Sequence, residues 1–259
     1  MSMPLFLDSF AALLPSGIYS PQGHTPWNAG QHGPEDVERN QVLDSPYPGF
    51  GKLQIADRLA FGAVSLMLRA CAISHGQDCG ISLGNITGSL STDLRYWESV
   101  LDAFPSPSLF SATLPSSPLA DIAIYFGLKG PDRIFAGSEA SWIYALSEAM
   151  TILDRKKATA MVIVLLSALE PRDRRSPLVP ASLDLENRAY SFLVTSKKSD
   201  SGLGARINMH FNSAEAAQLA SSKEVHLDNF IAILFEKRFG RFDFSIDNDQ
   251  GFIALEKDE

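Results

Sequence analysis

The residues best placed to do chemistry lie in "YFGLKGPDRIFAGSEASWIYALSEAM", Tyr125 to Met150. The pattern reads as a helix end closed by Gly, a very short strand at 132–137, a tight turn, and a helix apolar on most faces. In α/β enzymes such a turn often holds a Cys or Ser nucleophile, because the backbone N–H groups opening the helix stabilise an anion. Here the turn carries Glu139. On residue pattern alone it is a first-turn acid, favoured by the helix dipole by roughly 0.3–1 kcal/mol. Trp142 and Tyr144 follow on the same helix, as core or interface fillers or as a tunnel wall.

Other candidates are few. The two cysteines, Cys71 and Cys79, lie far upstream of the turn, in an apolar helix pattern and at the opening of a strand. Two thiols in a chain of this length are no disulfide framework and fit a reducing compartment. The five histidines are scattered, and no Cys/His/Asp/Glu spacing suggests a metal. No cofactor is implied. The basic run "RDRR", 172–175, reads as a solvated loop.

The elements that must position this turn are legible in the pattern. "LQIADRLAFGAVSLMLRACAIS", 53–74, is a long, largely buried helix, and "CGISLGN" is a short strand entering a Gly turn. In "SLSTDLRYWESVLDAF" the residues Leu90, Leu94, Trp97, Leu101 and Phe104 fall at helical spacing. That stripe is expected to face the core. A Pro/Ser breaker precedes a short helix, "LADIAIYFGLKG", ending in Gly. "TAMVIVLLSAL", 159–169, is a continuous apolar run, as in a central strand covered on both faces. "RAYSFLVTSKK" and "GARINMHFN", joined by "SDSG", signal a β-hairpin. A helix near 226–238 and two weak strands close the chain, and a strand near Leu5 opens it. Residues 15–52 are irregular, rich in Pro, Gly, Asn and Gln, and their aromatics suggest a loop laid over a surface, this chain's or a partner's.

The bulk properties set limits. The 259 residues are 45% apolar, enough for a sizeable core. A net charge of −8 and a pI near 5.1 argue against nucleic acid or an anionic membrane as the main partner. No apolar run is long enough to span a bilayer, and the first fifteen residues carry Asp8 and no basic start, unlike a signal peptide. A cytoplasmic protein is expected.

The stretch "SPSLFSATLPSSPLADIAIYFGLKGPDRIFAGSEASWIYALSEA" resembles the β-ketoacyl synthase family, of the thiolase fold. The Ser-Pro and Phe of "SPSLF", the helix end and Gly-Pro of "YFGLKGP", the short strand and the turn into an Ala/Leu-patterned helix carry the likeness. The upstream "GISLGNITGSLSTDLRYWESVL" supports it, and the similarity covers roughly 53–170. The resemblance implies an α/β half with a mixed five-stranded sheet, helices on both faces and a small C-terminal extension. The segments are then an irregular N-terminal strand and loop at 1–52, a ketosynthase-like half at 53–212, and a C-terminal helix with short strands at 213–259. It further implies Phe110 and Pro115 on the substrate-side loop, though core packing would explain both, with Glu139 and Trp142 as further tunnel-lining candidates. Glu139 would then stand at a partner's substrate tunnel or mimic the acyl-enzyme carbonyl, or act in decarboxylation or hydrolysis, and the run 172–175 could meet an acidic acyl carrier protein. The resemblance implies dimerisation through the short strand, with Arg133, Ile134 and Phe135 pairing with a twofold mate.

The departures from the family decide the expected role. The family's nucleophilic Cys sits nine residues after the Gly of Gly-Pro, and counting from Gly130 gives Glu139. About 90 residues follow position 170, too few for the second complete half that carries the catalytic His or His/Asn pair. No catalytic residue is expected here. The expected role is a non-catalytic, chain-length-factor-like subunit, similar to the short members of aryl-polyene-type systems. It pairs with an active ketosynthase in fatty-acid-like or polyketide synthesis, near an acyl carrier protein. The alternatives are a stand-alone decarboxylase or hydrolase using Glu139, or a structural homodimer.

Overall fold

The computed structural model describes residues 5–45, 47–71, 78–138, 140–179, 186–197, 205–211, 240–246 and 249–257, with backbone only from 205 onward. Glu139 and the helix expected at 226–238 lie outside the described residues. Ten strands form one mixed sheet: β1 (Leu5–Leu14), β2 (Gly17–Ser20), β3 (Gly23–Thr25), β4 (Cys79–Asn85), β5 (Asp132–Ala136), β6 (Ala160–Ser167), β7 (Arg188–Thr195), β8 (Ala205–Phe211), β9 (Gly240–Ile246) and β10 (Asp249–Lys257). The order is β5-β4-β6-β7-β1-β8-β10-β9, with β2 and β3 as a flap on β1. Strands β5, β4 and β6 run parallel and the remaining neighbours pair antiparallel. The five-stranded expectation is met by the block β5-β4-β6-β7-β1; the C-terminal strands and the flap raise the count to ten.

The helices are α1 (Arg39–Val42), α2 (Ile55–Leu68), α3 (Leu90–Leu101), α4 (Pro107–Ser111), α5 (Ser117–Phe126) and α6 (Ala140–Asp154). Strand β6 explains the layering. All eight of its residues are buried. Side chains alternate across a sheet, so Val162, Val164 and Leu166 join α2 and α5 on one face while Met161, Ile163 and Leu165 meet α6 on the other. A strand apolar at every position belongs between two helical layers. Strand β1 follows the same rule with one interruption. Leu7 and Phe10 both face α6, three positions apart, because the register with β7 slips between Leu7 and Ser9. A bulge inserts one residue and resets the alternation.

Two expectations are corrected. The segments 188–198 and 204–212 do not form a hairpin: β1 lies between β7 and β8, pairing with β7 from Phe6 to Leu13 and with β8 from Leu5 to Leu7. Local turn signals predict sequence neighbours, and a ten-residue apolar strand with two free edges outcompetes that pairing. The stripe of α3 also faces the wrong way for a core. Its fully buried positions are Ser91 and Thr92, whereas Trp97 and Leu101 are 57% and 68% exposed and Phe104, just beyond the helix, is 83% exposed. The N-terminal loop packs on this chain's own core: Trp27, Tyr47 and Phe50 join the α2 side, and Tyr19 joins the α6 side.

Candidate functional site

The start of α6 is seated on the end of β4, and the sequence "SLGN" makes this fit. A Cβ on Gly84 would run into the carbonyl oxygen of Ser141. Glycine is therefore the residue that lets helix backbone lie against strand backbone there. Two residues earlier, Ser82 Oγ donates to Ala145 O at 2.8 Å, so the small residues of β4 both clear space and tie the helix down. Between β5 and α6 the chain turns at Gly137, whose φ of 98° favours glycine. Its N–H donates to Asn85 O at 3.1 Å, and Ser138 N–H donates to Ser141 Oγ at 3.3 Å.

A polar frame holds the surrounding loops. Asn85 Nδ2 donates to Gly88 O at 2.8 Å, and Asn85 Oδ1 accepts from Thr87 N–H at 3.2 Å. Thr87 Oγ1 lies 2.9 Å from Ala168 O and accepts from Ala168 N–H at 3.1 Å, joining the ends of β4 and β6. Leu169 N–H donates to Asn187 Oδ1 at 2.7 Å, and Asn187 Nδ2 donates to Glu35 Oε2 at 3.1 Å. Under the helix start, Trp142 Nε1 donates to Leu166 O at 3.0 Å and its ring meets Tyr190 edge-on at 5.4 Å. Each described member has its partner, so the frame positions the turn.

No thiol reaches this platform. Cys79 opens β4 and therefore lies at the opposite end of the sheet, where its carbonyl accepts from Gly130 N–H at 3.0 Å. Burial pushes its thiol up to about 12. Cys71 is half-buried, its thiol donates to Met67 O at 3.4 Å, and burial pushes it up to about 11. Of the expected tunnel residues, Phe110 is 61% exposed and packs its ring on Tyr96 at 5.4 Å, while Pro115 is half-buried. Phe110 and Trp142 share no ring or hydrogen-bond partner.

Strand β5 is the edge of the sheet. It pairs with β4 on one side and with nothing on the other among the described residues. Ile134 packs toward α2 and α5, and Phe135 packs toward α6, 5.9 Å from the ring of Tyr144. Beside the edge, Tyr144 is 44% exposed; elsewhere Ile124 of α5 is 82% exposed. Arg133 Nε pairs with Glu148 at 3.2 Å. The run 172–175 is no free basic patch, because Arg172 pairs with Glu98 at 3.3 Å and Arg174 sits 3.8 Å from Glu35.

The comparisons with known proteins agree with this geometry. No family model matches the sequence, and no curated protein matches it. Solved structures do. A ketosynthase in complex with its chain length factor from Xenorhabdus doucetiae matches at a TM-score of 0.65 and 16% identity, over 97% of this chain and 99% of that chain. The ishigamide ketosynthase/chain length factor matches at 0.68 and 14%, over 97% and 99%. A type II polyketide synthase acyl-carrier protein in complex with its ketosynthase matches at 0.69 and 11%, over 99% of both chains. The fold is that of ketosynthases and chain length factors. In this chain of ketosynthase fold, sequence reasoning found the strand-turn-helix platform. It missed the frame of Asn85, Thr87, Ser141 and Asn187; the small-residue run "SLGNITG" is the signal that a helix must approach there.

Proposed function

We infer that this chain is a non-catalytic, chain-length-factor-like subunit that pairs with a Cys-bearing ketosynthase in polyketide or fatty-acid-like synthesis of the aryl-polyene type. One observation carries the reading: β5 presents an edge unpaired among the described residues, and beside it the half-exposed ring of Tyr144 lies 5.9 Å from that of Phe135. Native proteins rarely leave a strand edge open beside apolar surface. An antiparallel strand from a partner, lying along Arg133, Ile134 and Phe135, would use the free N–H and C=O groups and cover that surface. The near-complete coverage of chains from ketosynthase–chain length factor complexes supports the same arrangement. The chemistry would be the partner's. This chain offers Glu139 where the family holds its nucleophile, and both of its thiols are remote and protonated. Glu139, Trp142, Phe110 and Pro115 would then border the partner's tunnel. An acyl carrier protein would dock mainly on the partner, since Arg172 and Arg174 are already paired within this chain.

The test is co-expression with a full-length ketosynthase encoded beside it, followed by light scattering. A one-to-one complex is expected, and Ile134→Pro should abolish it, because proline removes a ladder donor. The purified chain alone should show no malonyl-carrier condensation. A wild-type chain that remains monomeric at micromolar concentration with every candidate partner, or that condenses alone with loss on Glu139→Ala, would refute the reading.

A further inference from the structure

The N-terminal loop and α2 enclose an open cleft of about 550 Å3, distinct from the platform under α6. We propose that it binds a small organic oxyanion, a carboxylate or phosphate monoester with an apolar body. Two arginines line it, Arg39 of α1 and Arg58 of α2. The guanidinium of Arg58 is poorly satisfied. Its Nη2 donates to Glu35 O at 3.2 Å, its Nε is buried without an acceptor, and no carboxylate pairs with it among the described residues. The acid closest in sequence to the first contact, Glu35, is engaged by Asn187 and Arg174. Arg39 makes no side-chain hydrogen bond or ion pair among the described residues. A buried charged donor without an acceptor is costly, and a bidentate oxyanion is the partner that guanidinium geometry fits best.

The remaining lining gives the ligand its other half. Val37 and Phe50 are buried and form an apolar floor. Tyr47 is held in place by stacking on Phe61, ring centroids 5.1 Å apart, so this wall is preformed. Glu38 also lines the cleft, leaving two cations against one anion. That balance selects a head of low charge over a polyanion. The volume lies within the roughly 300–1,000 Å3 usual for small-molecule sites. The chain as a whole carries −8, so general attraction of anions to its surface would not mimic such a site.

The test is titration of the purified full chain at low ionic strength with benzoate, phenyl phosphate and inorganic phosphate, read by calorimetry and by the shift of the thermal midpoint. Saturable binding of a ring-bearing anion is expected, tighter than that of inorganic phosphate; which ring-bearing anion binds more tightly tells carboxylate from phosphate. Arg58→Met should weaken it about tenfold or more, as loss of a charge-assisted pair does. Arg39→Met, an exposed change that leaves the fold intact, should weaken it several-fold and decides the matter if Arg58→Met does not fold. Absence of saturable binding of all three probes up to about 10 mM, weaker than any useful small-molecule affinity, would overturn the proposal. So would wild-type affinity in Arg39→Met, or inorganic phosphate binding as tightly as phenyl phosphate and benzoate.

Discussion

Asp57 is a buried carboxylate in the first turn of α2, and replacing it with Asn should stabilise the protein near neutral pH. Burial pushes its carboxyl from the ordinary 3.8 up to about 6. A hydrogen bond from Ser117 opposes this, the negative charge of Asp121 adds to it, and the backbone N–H of Gln54, 3.2 Å from Oδ2, opposes it again. The folded state therefore holds this proton more tightly than the unfolded chain does. The corresponding stability is fully present below about pH 4 and is lost as pH rises through about 6. A shift of about two units at 1.36 kcal/mol each is about 3 kcal/mol. Asn keeps the shape and, like the protonated carboxyl, can still accept from Gln54, so the two proteins are about equally stable at low pH; the hydrogen bonds to the ionised form are already contained in the shift. Asp57→Asn should thus gain up to about 3 kcal/mol at pH 8, with the gain vanishing below about pH 4. Asp8, Asp93 and Asp121 are also raised by burial, but they titrate in both proteins and largely cancel in the difference. Urea unfolding followed by circular dichroism at several pH values measures it. A difference that is flat with pH, or a variant less stable at pH 8, would refute the account of Asp57.

Gly84→Ala should cost about 1–3 kcal/mol, since the added methyl meets backbone of α6 that cannot rotate away; an unchanged urea midpoint would contradict it. Cys79 should resist iodoacetamide in the native state at pH 8, and Cys71 should react slowly, because burial holds both thiols protonated. Rapid native-state labelling of either would be inconsistent with their positions.

The sequence made legible what local pattern controls, and hid what depends on distant segments. A glycine ends α5 as the pattern expects, but it is Gly127, in a left-handed conformation at φ 66°, three residues before the Gly that closes the quoted stretch. The unbroken apolar run of β6 is central in the sheet, as its periodicity requires. The insertion of β1 between β7 and β8 was not legible, because it joins residues about 180 positions apart. The exposed stripe of α3 was misread for another reason. Helical periodicity identifies an apolar face, but not whether that face meets the chain's own core or another molecule. In α3 the tether is polar: Ser91 Oγ accepts from Glu170 N–H at 2.8 Å, roughly 100° round the helix from the stripe expected to be buried. The same ambiguity explains the candidate site. The turn before α6 could be placed from the glycine and the strand-helix rhythm alone. Its role rests on what lies across the β5 edge, and no residue pattern within one chain encodes that neighbour. The apolar surface of α3 and the edge of β5 belong to one argument. A Cβ added to Gly88, which leads into α3, would lie 3.9 Å from that of Ala136 at the end of β5, so the two segments run close together. A partner strand laid along β5 would thus arrive beside the start of the exposed stripe. A double change of Trp97 and Leu101 to Ser should therefore weaken the complex without unfolding the chain. If heterodimer yield is unchanged while Ile134→Pro abolishes it, the contact is confined to the strand and α3 faces something else.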